Sequence, residues 1–355
     1  MDNQALLSWY RGVARALPWR AKPPNPYGIL LSEIMAQQTR IETMLPYWER
    51  FMARWPRVED LAAAEGEAVL GEWAGLGYYS RARNLHKAAK VVAELGRFPD
   101  TVEDLRALPG VGPYTAGAIA SIAFDRDAAL VDGNVERVLC RFHRIEEDPR
   151  TPKVKRRLWA LAESHIPKGE AGDHNQALME LGATLCTPKN PRCDVCPLKS
   201  GCSGQQIAAS LPNKPRKQKA PEVRAACLVL EREGSILLCR RPESGLLGGL
   251  WELPAVDLDP ADKASETSLV VLGLKERLGL DVQLERRLGQ VRHIFTHRKL
   301  TQSVWAGQGS GELTLRFYEA AAWFDPADLG ELPLSKLARK TLAVHASPDE
   351  QLSLI

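Results

Sequence analysis

The stretch Leu108-Pro109-Gly110-Val111-Gly112-Pro113-Tyr114-Thr115-Ala116-Gly117 restricts what this chain can become more than any other. Two glycines fall inside a five-residue turn, preceded by Pro109 and followed by an apolar run. Gly110 and Gly112 can take positive φ without a Cβ clash and let backbone approach a ligand closely. Ala116, Ile119, Ala120 and Ile122-Ala123 then give a helix with an apolar side. Its first N–H groups point outward and suit a phosphate. A short polar turn leads to Asp132, just ahead of a second helix with Val135, Val138, Leu139 and Phe142 on one face. The unit reads as helix, hairpin, helix. A carboxylate at a helix N-terminus is favoured in its charged form by the dipole and the unpaired amides. One local unit therefore offers a phosphate grip and, some twenty residues on, an anion held ready. A plain loop–helix connection with Asp132 as its N-cap would use the same residues.

Length predicts about two domains with ample chain for buried cores. An apolar fraction of 45% and a charged fraction of 26% are ordinary for a globular protein. No apolar run reaches the roughly 18 residues a membrane helix needs, and the N-terminus lacks a signal peptide's apolar core. A cytoplasmic location is expected. The net charge of +3 is unevenly placed: residues 1–205 carry 27 basic and 25 acidic side chains, 206–222 four and one, and 223–355 sixteen and eighteen. A weakly basic first half with a basic linker is compatible with nucleic acid.

The first helix carries Leu6, Leu7, Tyr10, Val13 and Leu17 and ends at Pro18-Trp19-Arg20. Asn25-Pro26 resembles an N-cap with proline at the first helical position, opening a helix from Tyr27 to Thr39. Amphipathic helices follow at about 41–54, 67–74, 80–95, 102–107, 115–123, 134–144, 152–165 and 173–185. No strand is expected before residue 205, so residues 1–205 form an all-α domain. Residues 206–222, rich in proline and basic side chains, form an interdomain linker. Residues 223–355 read as α+β, with strands at 225–230 and 235–239 around Glu233-Gly234, a helix at 264–278, and strands at 282–290, 299–306 and 316–323.

Seven cysteines in a chain of this kind are not read as disulfides. Cys140, Cys227 and Cys239 sit in apolar segments and read as core. The other four, Cys186-x6-Cys193-x2-Cys196-x5-Cys202, can converge on one metal centre. The spacing alone leaves zinc and a [4Fe–4S] cluster equally open. Glu33 has Ile29, Leu30, Leu31, Ile34 and Met35 around it in sequence. Desolvated there, it would have a raised pKa and serve as a general acid at neutral pH; on a solvent face it would do neither. Gly75-Leu76-Gly77-Tyr78-Tyr79-Ser80-Arg81-Ala82-Arg83-Asn84 is a second glycine-bracketed turn. Its aromatics can wedge into a base stack, and Arg81 and Arg83 can meet phosphate. Tyrosines of a core capping a helix would look similar. The run Lys153 to Arg157 reads as a solvated helix face.

With these motifs assembled, the first 205 residues resemble the helix–hairpin–helix DNA glycosylases that carry an iron–sulfur loop. That resemblance implies that Cys186, Cys193, Cys196 and Cys202 hold a [4Fe–4S] cluster. Endonuclease III-type members have a Schiff-base lysine two residues after the second hairpin glycine, where this chain has Tyr114. The chain is more similar to the adenine DNA glycosylases of the MutY type. Glu33 to Thr39 matches their glutamate motif, Gly75 to Asn84 their tyrosine wedge, and Val131-Asp132-Gly133-Asn134-Val135 the segment of their second carboxylate. Their C-terminal domain is related to Nudix hydrolases and recognises 8-oxoguanine. His293-Ile294-Phe295-Thr296-His297 resembles the loop they place at that base, with threonine where serine is common. The corresponding catalytic helix region of a Nudix hydrolase, Leu272 to Leu280, supplies one glutamate here, so no pyrophosphatase activity is expected.

The resemblance implies a monomeric, monofunctional bacterial enzyme at the nucleoid, acting on duplex DNA with adenine opposite 8-oxoguanine or guanine. The adenine is flipped out while Gly110, Gly112 and Arg81 hold the backbone. Tyr78 wedges beside the oxidised guanine. Glu33 protonates adenine N7, and Asp132 stabilises the oxocarbenium-like sugar or attacks it transiently. Asn134 and Tyr114 orient Asp132 and the water. Glu180 reads the adenine edge, Gln38, Thr39 and Leu76 bind the DNA substrate, and Phe295, Thr296 and His297 contact the 8-oxoguanine.

Overall fold

The structure is a computed structural model and describes residues 1–215, 220–259, 261 and 264–346. The described chain divides into two compact units, one of residues 1–63 with 84–217 and one of residues 64–83 with 218–355. Part of the expected linker, 216–219, lies outside the described residues.

The first unit is helical, as its periodicity predicts. Its helices are α1 (Asn3–Val13), α2 (Pro26–Ala36), α3 (Ile41–Arg54) and α4 (Val58–Ala63). After α5 (Gly66–Glu72), which belongs to the second unit, come α6 (Ser80–Leu95), α7 (Val102–Arg106), α8 (Pro113–Phe124), α9 (Gly133–Phe142), α10 (Pro152–His165) and α11 (Ala171–Thr184). The Asn25 side chain accepts from the N–H groups of Tyr27 and Gly28 at 3.0 and 3.2 Å, and Pro26 gives up an N–H that had no partner to lose. Helix α2 is apolar on all sides, and residues 27–35 are all buried. A helix buried all round belongs in the middle of a domain, and α2 packs on α8 and α3. It ends at Ala36, three residues before the expected Thr39, because Gln37 leaves the helical region at ψ 107° and Gln38 follows in the left-handed region at φ 59°. Helix α1 likewise stops at Val13, four residues before Leu17.

Glycine makes the close approaches in this core. A Cβ on Gly117 would lie 2.0 Å from the Ala129 carbonyl oxygen, and one on Gly182 would lie 2.6 Å from Asn134 Cβ. These contacts let α8 and α11 press against the segment that carries Asp132.

The second unit holds a mixed sheet of β1 (Glu222–Arg232), β2 (Ser235–Arg240), β3 (Trp251–Glu252), β4 (Ala255–Leu258), β5 (Asp281–Ile294), β6 (Lys299–Ser310) and β7 (Ala320–Phe324), with α12 (Glu266–Leu278) and α13 (Lys336–Ala346). The main path runs β3-β2-β1-β6-β5; β1 pairs in parallel with β6, and β5 is antiparallel to β6. Strand β1 buries both faces. Ala226, Leu228 and Leu230 meet Val270, Leu274 and Leu278 of α12, while Ala225, Cys227 and Val229 share a core with Leu337 and Ala338 of α13. A strand buried on both sides reads as a continuous apolar run rather than an alternating one. Strands β3 and β4 and helix α13 were not expected from the sequence, and the last strand starts at Ala320 rather than at 316.

Residues 64–83 fall within the first-domain boundaries expected from sequence, yet their contacts lie in the second unit. Glu67 pairs with Arg240 at 2.9 Å, Arg83 donates to the Gly248 carbonyl at 2.6 Å, and Leu70 packs at Gly249. Among the described residues no helix is long and apolar enough to cross a membrane.

Candidate active site

Helix α2 carries Glu33 into the core, where 7% of the residue is exposed. Of the two sequence readings, burial is the one realised. Desolvation pushes the Glu33 carboxyl up to about 7. Against that pull, the Tyr114 hydroxyl donates to Glu33 Oε2 at 2.5 Å. Tyr114 was expected, with Asn134, to orient Asp132 and the water; its hydroxyl is hydrogen-bonded to Glu33, with Met179 Sδ 3.6 Å away.

Asp132 is the N-cap of α9, as its position ahead of the apolar face predicts. Its Oδ1 accepts from the N–H groups of Asn134 and Val135 at 2.9 and 2.7 Å, and its Oδ2 from Asn134 Nδ2 at 2.9 Å. Burial raises its pKa, and these bonds, with the charge of Arg137, pull it back. The chain of contacts continues: Arg137 Nη2 donates to Asn134 Oδ1 at 2.8 Å, and Arg137 Nε to the Cys186 carbonyl at 2.8 Å. Asp132 is thus linked through two side chains to the first cysteine of the cluster loop.

Cys186, Cys193, Cys196 and Cys202 line one small apolar cavity with Leu185, Pro191 and Ala208. Among the described residues no group of three or more His, Cys, Asp or Glu is placed to hold a single metal ion. The buried Arg141 holds the loop: Nη1 meets Cys186 Sγ at 3.2 Å and the Thr187 carbonyl at 2.8 Å, Nη2 the Pro188 carbonyl at 3.1 Å, and Nε the Leu211 carbonyl at 3.0 Å. A fixed cation beside four thiolates suits an anionic iron–sulfur group. Gly204 permits this packing, since a Cβ there would lie 2.2 Å from the Arg141 carbonyl oxygen.

At the hairpin, only Gly110 uses positive φ (77°), and a Cβ there would strike Asn84 at 2.6 Å. Gly112 departs from the expectation: its φ is −88° and it is the N-cap of α8. Nothing lies within 4 Å of a Cβ built on it, and no side chain caps that helix end. The second glycine thus leaves the helix N-terminus open to a phosphate.

Glu180 is 1% exposed and doubly clamped. Arg15 Nε meets Oε1 at 2.6 Å and Arg20 Nη2 meets Oε2 at 2.9 Å. These arginines hold its pKa low against the opposing effect of burial. Neither arginine was singled out from the sequence, because their partner lies 160 and more residues away.

In the second unit the turn 75–79 is built as expected, with Gly75 at φ 99° and Gly77 at φ 74°. The two tyrosines divide the two sequence readings. Tyr79 is buried, and its hydroxyl accepts from the Gly75 N–H at 3.2 Å; Tyr78 is 40% exposed at a strained φ of 49°. Arg81 requires a correction. It is buried beneath the turn, donates to the carbonyls of Leu76 and Gly77, and lies over the rings of Trp73 and Tyr78. Desolvation lowers its pKa to about 10. It braces the wedge and is not presented to a phosphate. Leu76 is also buried, while Gln38 is exposed and Thr39 partly so. Phe295, Thr296 and His297 form the tight turn between β5 and β6, closed by the Phe295 N–H on the Arg298 carbonyl at 2.8 Å. The Thr296 hydroxyl is hydrogen-bonded to that of Tyr78, so wedge and turn meet within one unit.

A buried carboxyl with a raised pKa, a capped carboxylate near it, an open hairpin and a four-cysteine loop define a helix–hairpin–helix base-excision DNA glycosylase. Residues 31–164 match the HhH-GPD superfamily of base excision DNA repair proteins, 186–202 the iron–sulfur binding domain of endonuclease III, and 225–344 the NUDIX domain. The chain is 39% identical over 400 residues to an adenine DNA glycosylase of Rattus norvegicus, covering 96% of this chain and 77% of the relative. It is 39% identical over 399 residues to that of Homo sapiens, covering 96% and 73%. A solved thermostable thymine-DNA glycosylase superimposes with a TM-score of 0.52 at 30% identity, over 58% of this chain and 95% of that one. The chain belongs to the adenine DNA glycosylases. It excises adenine from DNA in base excision repair, and its cofactor is a [4Fe–4S] cluster, which the iron–sulfur match favours over zinc.

When bound, the cluster supplies metal–thiolate bonds that tie the loop ends together. Replacing Cys196 with serine is expected to lose the cluster's visible absorbance and lower the thermal midpoint of the protein. Unchanged absorbance would remove Cys196 from the ligand set.

Proposed function

We propose that this enzyme removes adenine paired with 8-oxoguanine, or with guanine, and that it does so as a monofunctional monomer. The pair of buried carboxylates in unlike settings, Glu33 and Asp132, carries the reading. Such a division of environments assigns one group as acid and the other as anion. The open helix start at Gly112 grips the backbone while adenine is flipped from the stack. Glu33, half protonated near neutrality, donates to adenine N7 and turns a poor leaving group into a neutral one. Asp132 stabilises positive charge on the sugar, held in place by Asn134, and water completes the abasic site. Glu180 accepts from the adenine edge. Tyr114 stands where a lyase would have lysine, and its hydroxyl cannot form a Schiff base. Residues 223–355, with the wedge segment, serve as the 8-oxoguanine reader.

The test is a labelled duplex with one adenine opposite 8-oxoguanine, half of each sample being treated with hot alkali. Scission of the adenine strand only after alkali is the expected result. Scission without alkali, with a borohydride-trapped complex, would mean a lyase amine elsewhere in the chain. The Tyr78–Thr296 contact adds a second prediction. Thr296→Val should lower the preference for 8-oxoguanine over guanine by about tenfold, the scale of one net hydrogen bond within the protein. Tyr78→Phe should do the same, and the double variant little more, because both remove one interaction. Additive losses would mean that the two side chains read the base independently.

A further inference from the structure

Helices α9 and α10 bring their C-terminal ends together, with a histidine at each. His143 is the C-cap of α9 and His165 the last residue of α10. Their rings are inclined by only 13°, and their Nε2 atoms are 2.8 Å apart. That is too short for stacked rings, so the imidazoles meet edge to edge, nitrogen facing nitrogen. The buried Phe142 ring stands across both, at 5.0 and 6.1 Å between centroids, and holds their setting. Burial lowers the pKa of both imidazoles, that of His165 to about 4. Both are therefore neutral near pH 7, and one Nε2–H donates to the lone pair of the other.

The surroundings of the pair suit a cation. A helix C-terminus carries partial negative charge from its unpaired carbonyls, and two such ends converge here. Arg157, whose charge also lowers the His143 pKa, is paired with Glu147 at 3.6 Å. Unsatisfied buried polar atoms accompany the two rings. Asn3 Nδ2 donates to the His165 carbonyl at 2.8 Å, while Asn3 Oδ1 is buried with no partner among the described residues. His174, within electrostatic reach of His165, is 0% exposed, and neither of its ring nitrogens has a partner among the described residues. An ordered water or ion accounts for buried polar atoms of this kind. Neutral imidazole is the commonest metal ligand, and such nitrogen donors select late first-row ions over magnesium or calcium. On a tetrahedral ion with bonds of about 2.0–2.1 Å, two Nε2 atoms would stand about 3.3 Å apart, roughly half an ångström more than here. Both histidines are partly exposed, so a small ring rotation supplies the difference.

We propose that the converging ends of α9 and α10 form a binding site for a late first-row divalent transition-metal ion such as zinc, with Nε2 of His143 and Nε2 of His165 as its protein ligands. The hydrogen now shared by the rings passes to Nδ1 of the ring that carries it. Each ring then offers one lone pair and stays neutral, and no net proton is released. Waters complete the shell, and Asn3 Oδ1 accepts from them. The ion ties α9, whose other end is capped by Asp132, to α10. Its donors are separate from the four cysteines, and the site does not depend on the reading of adenine excision.

The experiment uses the untagged full-length holoenzyme, passed over a chelating resin to remove loosely held metal. Zinc chloride titrated into it in a calorimeter should bind with one equivalent per chain. At about 100-fold over its dissociation constant, zinc should raise the thermal midpoint by about 5 °C. Magnesium at the same concentration should do neither, because it prefers oxygen ligands. His143→Gln and His165→Gln, each confirmed folded by circular dichroism and cluster absorbance, should each bind zinc at least tenfold more weakly and lose the shift in midpoint. Cluster absorbance that stays constant through the titration shows that the cysteines are not the zinc ligands. Wild-type protein that takes up no zinc, or variants that bind it as tightly as wild type, would overturn the site and leave the histidines a plain hydrogen bond between two helices.

Discussion

Glu33→Gln is expected to abolish adenine excision, by about 10³-fold or more, while binding of the mispaired duplex is retained. General acid catalysis contributes roughly 10²–10⁴-fold, and glutamine keeps the shape of the side chain but has no proton to give. The pH dependence carries the same assignment. With the carboxyl at about 7, the protonated fraction, and the single-turnover rate with it, should fall tenfold per unit above that pH. Tyr114→Phe removes a hydrogen bond that favours the carboxylate, so the falling limb should move to higher pH. Stability should follow the same proton. Between its ordinary value of 4.5 and about 7, the folded protein binds a proton that the unfolded chain has lost, so wild-type stability falls as pH rises through this window. Above it the full cost of an anion in an apolar pocket is present, roughly 3 kcal/mol from the size of the shift. Glu33→Gln lacks that cost and should be more stable than wild type at pH 8, with the advantage gone by about pH 4. Equal stability at both pH values would show that Glu33 is not held protonated by burial.

What could be read from the sequence was what depends on neighbours in the chain. Asn25-Pro26 and Asp132 announce helix starts because a cap satisfies amides two or three residues on. The hairpin and wedge turns are legible because left-handed backbone selects glycine. Distant pairings were not legible. Arg15 and Arg20 meet Glu180 across 160 residues and more, and nothing local marks them as its partners. Arg81 looked like a phosphate ligand because it is an arginine beside a tyrosine; that it turns inward to carbonyls four and five residues back is a matter of packing. Residues 64–83 join the second unit through single contacts with Arg240, Gly248, Gly249 and Thr296, none of which has a signature in composition. Helix α13 was within reach: Ser335 caps it by accepting from the Ala338 N–H at 3.0 Å, and Leu337, Ala338 and Thr341 share its buried face. Strand β3 was not, since two residues are too few to show a period.

Asp132→Asn should cost about 10²–10³-fold in excision, the scale of losing a preorganised charge-stabilising group, and should leave the fold intact. An asparagine oxygen can still cap α9, so the helix start survives the loss of the charge. The finer prediction concerns the link behind it. Asn134 offers its amide nitrogen to Asp132 and its oxygen to Arg137, and Arg137 is itself fixed on the carbonyls of Cys186 and Gly182. Burial already raises the Asp132 pKa, while Asn134 and Arg137 oppose the rise. Arg137→Gln is too short to span these acceptors and removes the charge. The Asp132 pKa should then climb, moving the acid limb of the single-turnover profile to higher pH and lowering the rate at neutral pH, with DNA affinity unchanged. Arg137→Lys keeps the charge and should restore the limb in part, though it cannot reproduce the forked bonds. A merely structural role would lower the amount of active, cluster-loaded enzyme and leave the shape of the profile alone. An acid limb that stays in place in Arg137→Gln would therefore mean that Arg137 serves the iron–sulfur loop and not the carboxylate.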